Sequence, residues 1–242
     1  MLLYARGAAG VTPSSVRVSL RRARALAPPD RLWIVGGPTA ALAASESLGA
    51  SRVVKTAARG ALPLLPVLLE LGRLGGAEVL CVLAPDDLRV AREKELRRSV
   101  AAALEAASRA PRASLLIGLA DDGHAGEGLA RLMPAPATGE DVARPLLAML
   151  AVPVGPRGHR PARREVLRDS GVLVGRVSSL LALYKDFLPG AFLPLVRAWL
   201  AGETERTLAA LPEASLQRDL LPRALRRLRV VGPVGADRET DR

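Results

Sequence analysis

The chain predicts an α/β fold: a three-layer α/β/α domain built on a doubly wound, mainly parallel sheet. Two observations lead there. The first is residues 77–118, AEVLCVLAPDDLRVAREKELRRSVAAALEAASRAPRASLLIG. An unbroken apolar run, Val79–Leu83, ends in Pro85-Asp86-Asp87; a long helical stretch follows, and a second apolar run, Ser114–Gly118, closes the unit. That order is a strand, a carboxylate pair at its tip, a crossover helix and another strand. The second observation is the alternation of apolar runs with helical stretches through residues 32–118, the pattern of a mainly parallel sheet with helices on both faces. In open α/β sheets the ligand crevice lies off the carboxyl ends of the strands.

The elements follow in order. Val16–Leu26 carries apolar residues at helical spacing, with Ser14 or Ser15 available as N-cap, and Pro28-Pro29-Asp30 stops it. Leu32–Val35 reads as a short buried strand ending in Gly36-Gly37. Pro38–Leu48 is Ala-rich and helical, Val53-Val54 a short strand, and Leu62–Leu74 a helix with Pro63 in its first turn. Beyond Gly118, Asp121–Gly128 is a loop and Pro134–Glu140 a linker before a helical stretch near Asp141–Leu150. Pro153–Pro161 is too rich in Pro and Gly for regular structure. Val172–Val177 is strand-like, Ser178–Tyr184 starts a helix broken at Pro189-Gly190, Phe192–Leu200 and Glu203–Leu211 are helical, and Arg229–Val231 is a last strand. Residues 1–235 are expected to form one domain and 236–242 a tail.

Composition narrows the partners. The chain has 242 residues and a net charge of +11, but only three lysines, so arginine fills nearly every basic position. Clusters stand at Arg21, Arg22 and Arg24, at Arg157–Arg168 and at Arg223–Arg229. That bias resembles the codon choice of a GC-rich genome. Single-strand binders stack bases on aromatic side chains, and this chain has six aromatic residues in all. Anionic small ligands are therefore expected rather than nucleic acid. The two most apolar stretches are broken by Glu70 and Arg73 and by Lys185 and Asp186, short of the roughly 20 apolar residues of a membrane span. The first ten residues lack the apolar core of a secretion signal. The lone Cys81 lies in an apolar strand and permits no disulfide framework. A cytoplasmic protein without membrane partners is the expectation.

Asp86 and Asp87 either hold a hard cation against a phosphate or cap the next helix. Gly126-Glu127-Gly128 is a flexible substrate loop or a hairpin turn. Gly36-Gly37 without further glycines reads as a plain turn. His124 and His159 lack metal-ligand spacing. Neither a Gly-x-Ser-x-Gly elbow nor a Gly-Lys-Ser/Thr phosphate loop is present.

In their order these pieces resemble the sugar-1-phosphate nucleotidyltransferases, and within them the mannose-1-phosphate guanylyltransferases. Ser15–Val35 matches the family's helix, Pro-Pro-x-Arg turn and strand. Lys55–Pro63 keeps Arg59 and Pro63 of Glu-Pro-x-x-Arg-Asn-Thr-Ala-Pro, and Leu83–Asp87 resembles Leu-Pro-x-Asp-His, with Asp86 on the metal-binding aspartate. Gly118-Leu119 and Gly126-Glu127-Gly128 resemble Gly-Ile … Glu-Thr-Gly-Tyr-Gly. Arg168–Arg176 resembles Trp-Asn-Ser-Gly-Ile/Met-Phe-Val-Phe-Arg, and Leu211–Gln217 resembles Leu-Pro-x-x-Ser-Ile-Asp. The resemblance spans residues 15–231. It implies a nucleotide-diphospho-sugar transferase-like, Rossmann-like domain that joins mannose 1-phosphate to GTP, giving GDP-mannose and pyrophosphate.

It further implies Asp86 as catalytic residue and Mg²⁺ ligand, and Arg59, Gly126, Gly128, Asp169, Ser170 and Gly171 as substrate-binding residues. The partner would be a nucleotide or nucleotide-sugar, with a protein partner or a second copy of the chain as a further expectation. Departures weaken the catalytic half. The family's Gly-Gly-x-Gly-Thr-Arg loop is replaced by YARGAAGVTPSS, its Pro-Lys-Gln segment has no counterpart, and residues 140–160 hold no Glu-Lys-Pro stretch. Asp169 stands for Asn and Gln217 for Asp. One lost charge-stabilising donor costs on the order of 10²–10³ in rate, so turnover is expected to be weak or absent. The other readings are a non-catalytic relative that binds a nucleotide-sugar or a protein, and an unrelated doubly wound anion-binding protein.

Overall fold

Apolar runs that are buried on both faces build the centre of this molecule. The computed structural model describes residues 2–4, 20–21, 23–36, 52–56, 60–83, 93–120, 130–137, 142–150 and 165–234. Within them the strands are β1 (Leu2–Tyr4), β2 (Trp33–Gly36), β3 (Arg52–Lys55), β4 (Val79–Leu83), β5 (Ser114–Ala120), β6 (Arg131–Pro134), β7 (Ala143–Leu150), β8 (Leu167–Arg176) and β9 (Leu228–Val231). The helices with described bounds are α1 (Leu64–Arg73), α2 (Glu93–Arg109), α3 (Val177–Phe187), α4 (Pro189–Ala201) and α5 (Thr204–Ala210). Residues 20–21 and 23–26 are helical too. The helix expected over Pro38–Leu48 lies outside the described residues.

Successive side chains of a strand leave opposite faces, and β4 uses both. Leu80 and Val82 join one apolar cluster, with Leu64, Leu65 and Leu68 of α1 and Leu180 and Tyr184 of α3. Cys81 and Leu83 join the other, with Leu96, Val100, Ala103 and Ala107 of α2. Those four α2 positions recur at helical spacing, which is why the opposite side of α2 carries exposed charge. Burial pushes the Cys81 thiol up to about 12.

The expectation of a mainly parallel, doubly wound, Rossmann-like sheet is overturned by the strand pairing. The order is β3-β2-β1-β4-β8-β5-β9-β7-β6, and β6 pairs again with β8. Pairs β1–β2, β1–β4, β2–β3 and β5–β9 are parallel; β4–β8, β5–β8, β6–β7, β6–β8 and β7–β9 are antiparallel. The β6–β8 pair closes β8, β5, β9, β7 and β6 into a five-stranded mixed barrel beside the parallel strands. The reason the pattern misled is physical. Continuous apolar runs mark strands covered on both faces, which is usual for parallel sheets, and β8 is covered on both faces while running antiparallel.

Two further elements differ from expectation. The stretch read as helical near Asp141–Leu150 is strand β7, in which Arg144 and Leu146 are buried while Pro145 and Leu147 are exposed. Its Ala, Leu and Met content favours helix, but pairing with β9 and β6 prevails. Part of the expected Pro134–Glu140 linker, with the residues before it, forms β6 and its exit; there Ala135 N–H donates to the Pro145 carbonyl at 2.8 Å.

Gly118 sits where β5 faces the start of β8. A Cβ there would lie 2.7 Å from Leu167 Cδ1 and 2.8 Å from Leu167 Cβ. Gly118→Ala is therefore expected to lower stability in urea melts by about 1–3 kcal/mol, the usual cost of overpacking. Adding Leu167→Ala removes the Cδ1 contact but keeps Cβ, so it should recover part of that penalty, giving a favourable coupling in a double-mutant cycle. Additive losses would show that the two residues do not meet.

A second expectation concerns Cys81. Below the ordinary thiol value of 9.0 both folded and unfolded chains keep the proton. Above it only the unfolded thiol ionises, so stability falls as pH rises from 9.0 toward about 12, by at most about 1.4 kcal/mol per pH unit. Urea melts between those limits should show a shallower alkaline loss for Cys81→Val than for the parent chain.

Candidate functional site

The carboxyl ends of β1, β2, β3, β4 and β5 lie along one rim, because these strands run in the same direction. The first half of β8 meets this rim from the other direction. Asp169 stands opposite Gly118 and Leu173 opposite Leu116, so residues 170–172 bulge out against Ile117 alone. Gly171 takes φ +71, a left-handed conformation that costs other residues about 1–2 kcal/mol. A bulge strands backbone donors, and local side chains answer them. Gly171 N–H donates to Asp169 Oδ1 at 3.0 Å, and Val172 N–H donates to Ser170 Oγ at 3.2 Å. Asp169 N–H donates to the Ala130 carbonyl at 2.9 Å. Asp169 and Ser170 are both buried.

A second crossing lies beside the bulge. Gly60 bridges Ala214 in parallel fashion, and Ala61 N–H donates to the Ala214 carbonyl at 2.5 Å. Tyr184 of α3 locks the same spot by donating its hydroxyl to the Ala61 carbonyl at 2.8 Å. The next residue, Ser215, opens a short turn: its N–H donates to Asp219 Oδ2 at 2.6 Å, and its Oγ accepts from Arg218 N–H at 3.3 Å. That turn brings Gln217 to the bulge. Asp169, Gly171, Gln217, Leu216 and Val82 all line a cavity of about 10 Å³, room for about one water.

The structure thus gathers Asp169, Ser170 and Gly171 at one point of the rim and sets Gln217 beside them. The other expected site residues, Arg59, Asp86, Gly126 and Gly128, lie outside the described residues. Sequence reasoning missed the clamp between Arg144 and Glu165. Arg144 is buried, and its Nη1 and Nη2 reach Glu165 Oε2 and Oε1 at 2.6 and 2.8 Å, tying β7 to the residues entering β8. The Glu165 carboxylate raises the Arg144 pKa above its ordinary value. An isolated Arg in a strand of helix-forming residues carries no signal of such a partner.

The donors at the bulge do not by themselves fit Mg²⁺. A hard cation takes several oxygen ligands, mostly carboxylates. Here one carboxylate is turned onto its own backbone and its neighbour is the amide Gln217. Among the described residues no group of three or more His, Cys, Asp or Glu side chains converges. No described helix is long and apolar enough to cross a membrane.

No protein-family model and no curated protein matches the chain. Among solved structures it is similar to a mannose-1-phosphate geranyltransferase from Thermus thermophilus, with TM-score 0.76 and 20% identity over 96% of this chain and 73% of that one. It is also similar to a mannose-6-phosphate isomerase from Helicobacter pylori, with TM-score 0.69 and 14% identity over 96% of this chain and 97% of that one. The fold is shared. Both neighbours carry the names of sugar-phosphate enzymes, and at these identities the likeness reaches no further than architecture.

Gly60 supplies the test of the crossing. Its φ is +75, and a Cβ would lie 2.3 Å from the Ala214 carbonyl oxygen. Gly60→Ala is expected to lower stability by about 2 kcal/mol or more, combining left-handed strain with a backbone clash. A urea midpoint equal to that of the parent chain would show that residues 60 and 214 are not in contact.

Proposed function

We propose that this chain is a sugar-phosphate-binding relative of the sugar-1-phosphate nucleotidyltransferases in which turnover is weak or absent. The observation that carries this reading is the convergence at the rim of Asp169, Gly171 and Gln217. They come from two segments that resemble separate motifs of that family. The shared fold with two enzymes named for mannose phosphates supports the substrate class. A carboxylate and a primary amide supply the acceptors and donors that sugar hydroxyls require. The cavity itself takes no more than a water, so the ligand would lie across its mouth at the rim.

The substitutions argue for binding without efficient chemistry. Gln217 is neutral where the family has a carboxylate, and Asp169 adds a negative charge where the family has a neutral amide. Both changes work against a metal-assisted attack on a phosphate and leave polar recognition in place.

Calorimetric titration with mannose 1-phosphate, GTP and GDP-mannose, beside a pyrophosphate-release assay in Mg²⁺ buffer, tests the reading. Binding of GDP-mannose with pyrophosphate release near background is expected. Release abolished by Asp86→Ala would instead mark an active enzyme, and failure of all three ligands to bind would overturn the substrate class. Asp169→Asn sharpens the test. It keeps an oxygen to accept from Gly171 N–H and removes a charge that repels phosphate, so affinity should rise about tenfold, equivalent to about 1.4 kcal/mol. Unchanged affinity would place the ligand elsewhere.

A further inference from the structure

The amino ends of β5 and β9 carry a cleft that no reading of the rim uses. It has a volume of about 810 Å³ and lies between the turn preceding β5, the start of α3 and the run leading into β9. Four arginines line it, Arg112, Arg226, Arg227 and Arg229, together with Ser178 and Ser179. The sheet explains the meeting. β5 and β9 are parallel neighbours with Ser114 opposite Leu228, so the residues just before both strands stand side by side. β8 arrives from the other direction, with Gly175 opposite Ser114, and delivers the start of α3 to the same place.

The cleft is held in shape. Ser179 Oγ lies 2.9 Å from Ser114 Oγ and donates to the Arg112 carbonyl at 3.4 Å. Arg227 pairs with Asp186 at 2.5 Å and sits 5.9 Å over the Phe187 ring. Arg229 Nη1 donates to the Ala143 carbonyl at 3.4 Å. Arg112 and Arg226 are exposed, and their side chains make no hydrogen bond or ion pair with another described residue.

A bias toward arginine accounts for many such residues on this surface, and some of them elsewhere are matched. Arg73, Arg97, Arg109 and Arg144 pair with Glu70, Glu93, Glu105 and Glu165. Around the cleft four arginines meet a single carboxylate partner, Asp186, and no described Asp or Glu is among the lining residues. Three positive charges are left without a described carboxylate partner in one concave site. The volume falls in the range of small-molecule pockets, about 300–1,000 Å³, and planar guanidinium groups match phosphate oxygens in geometry.

We infer that this cleft binds a small molecule carrying two or three linked phosphate groups. The charge balance selects a di- or triphosphate over a single phosphate. Nucleic acid is disfavoured because no aromatic side chain is among the described residues lining the cleft to stack a base. The site is separate from the rim: Gly118, opposite Asp169, lies four residues along β5 from Ser114, about 13 Å at the usual strand rise.

Titration with inorganic pyrophosphate, tripolyphosphate, GDP and orthophosphate at fixed ionic strength tests the inference, with Arg112→Gln/Arg226→Gln as the variant. Pyrophosphate and tripolyphosphate should bind saturably and more tightly than orthophosphate. The double variant should lose at least tenfold in affinity while keeping its melting temperature, and Asp169→Asn should leave this binding unchanged. Should the double variant fail to fold, Arg226→Gln alone serves, with a severalfold loss expected. GDP binding more tightly than pyrophosphate would identify a nucleotide; equal binding would limit recognition to the phosphates. The inference is overturned by an absence of saturable binding, by affinity unchanged in the arginine variants, by a shift with Asp169→Asn, or by a single-stranded oligonucleotide that competes at lower concentration.

Discussion

One edge of β8 has to serve two partners in succession, and the architecture depends on that division. Along its other edge β8 pairs with β5 both before and after the bulge. On the divided edge Leu167 and Arg168 pair with Leu132 and Arg131 of β6, whereas Val172–Arg176 pair with Leu83–Val79 of β4. The handover falls at residues 170–172, where the ladder is interrupted and the strand bends. Before it β8 belongs to a closed barrel; after it β8 is the antiparallel neighbour of an open parallel sheet. A left-handed residue in the middle makes the bend accessible, and Gly171 meets that need at low cost.

The same bend concentrates polar groups at the rim. Backbone donors released from the ladder need acceptors, so Asp169 and Ser170 are buried beside glycine for structural reasons before any ligand is considered. Gln217 reaches them through the Gly60–Ala214 crossing, which Tyr184 secures from α3. A recognition site on this bulge inherits rigid support from three elements.

Much of the scaffold was legible in the chain. β2, β4, β5 and α2 follow from local pattern alone, since unbroken apolar runs and a four-residue apolar stripe are direct consequences of burial on one or two faces. Strand direction was not legible. β8 shows the same two-sided burial as β4, and nothing local distinguishes an antiparallel run from a parallel one when both faces are covered. β6 and β7 escaped notice because their content favours helix or linker, and only their distant partners make them strands. β1 comprises three residues, too few to carry a period. At the rim, Asp169, Ser170 and Gly171 were found through the resemblance of Arg168–Arg176 to a known motif; their role in satisfying a bulge was invisible without the register. The arginine cleft joins residues far apart in the chain, and in the sequence its members read only as surface bias.

Interstrand nuclear Overhauser effects in solution probe the division of β8 most directly. The account predicts antiparallel cross-strand contacts from Arg168 to both Leu119 and Arg131, and from Val174 to both Cys81 and Leu115, within a single folded species. Contacts from Arg168 to Leu119 without any to Arg131 would leave the barrel open. Parallel contacts between β8 and β4 would contradict the account outright, since the bulge would then have no handover to make.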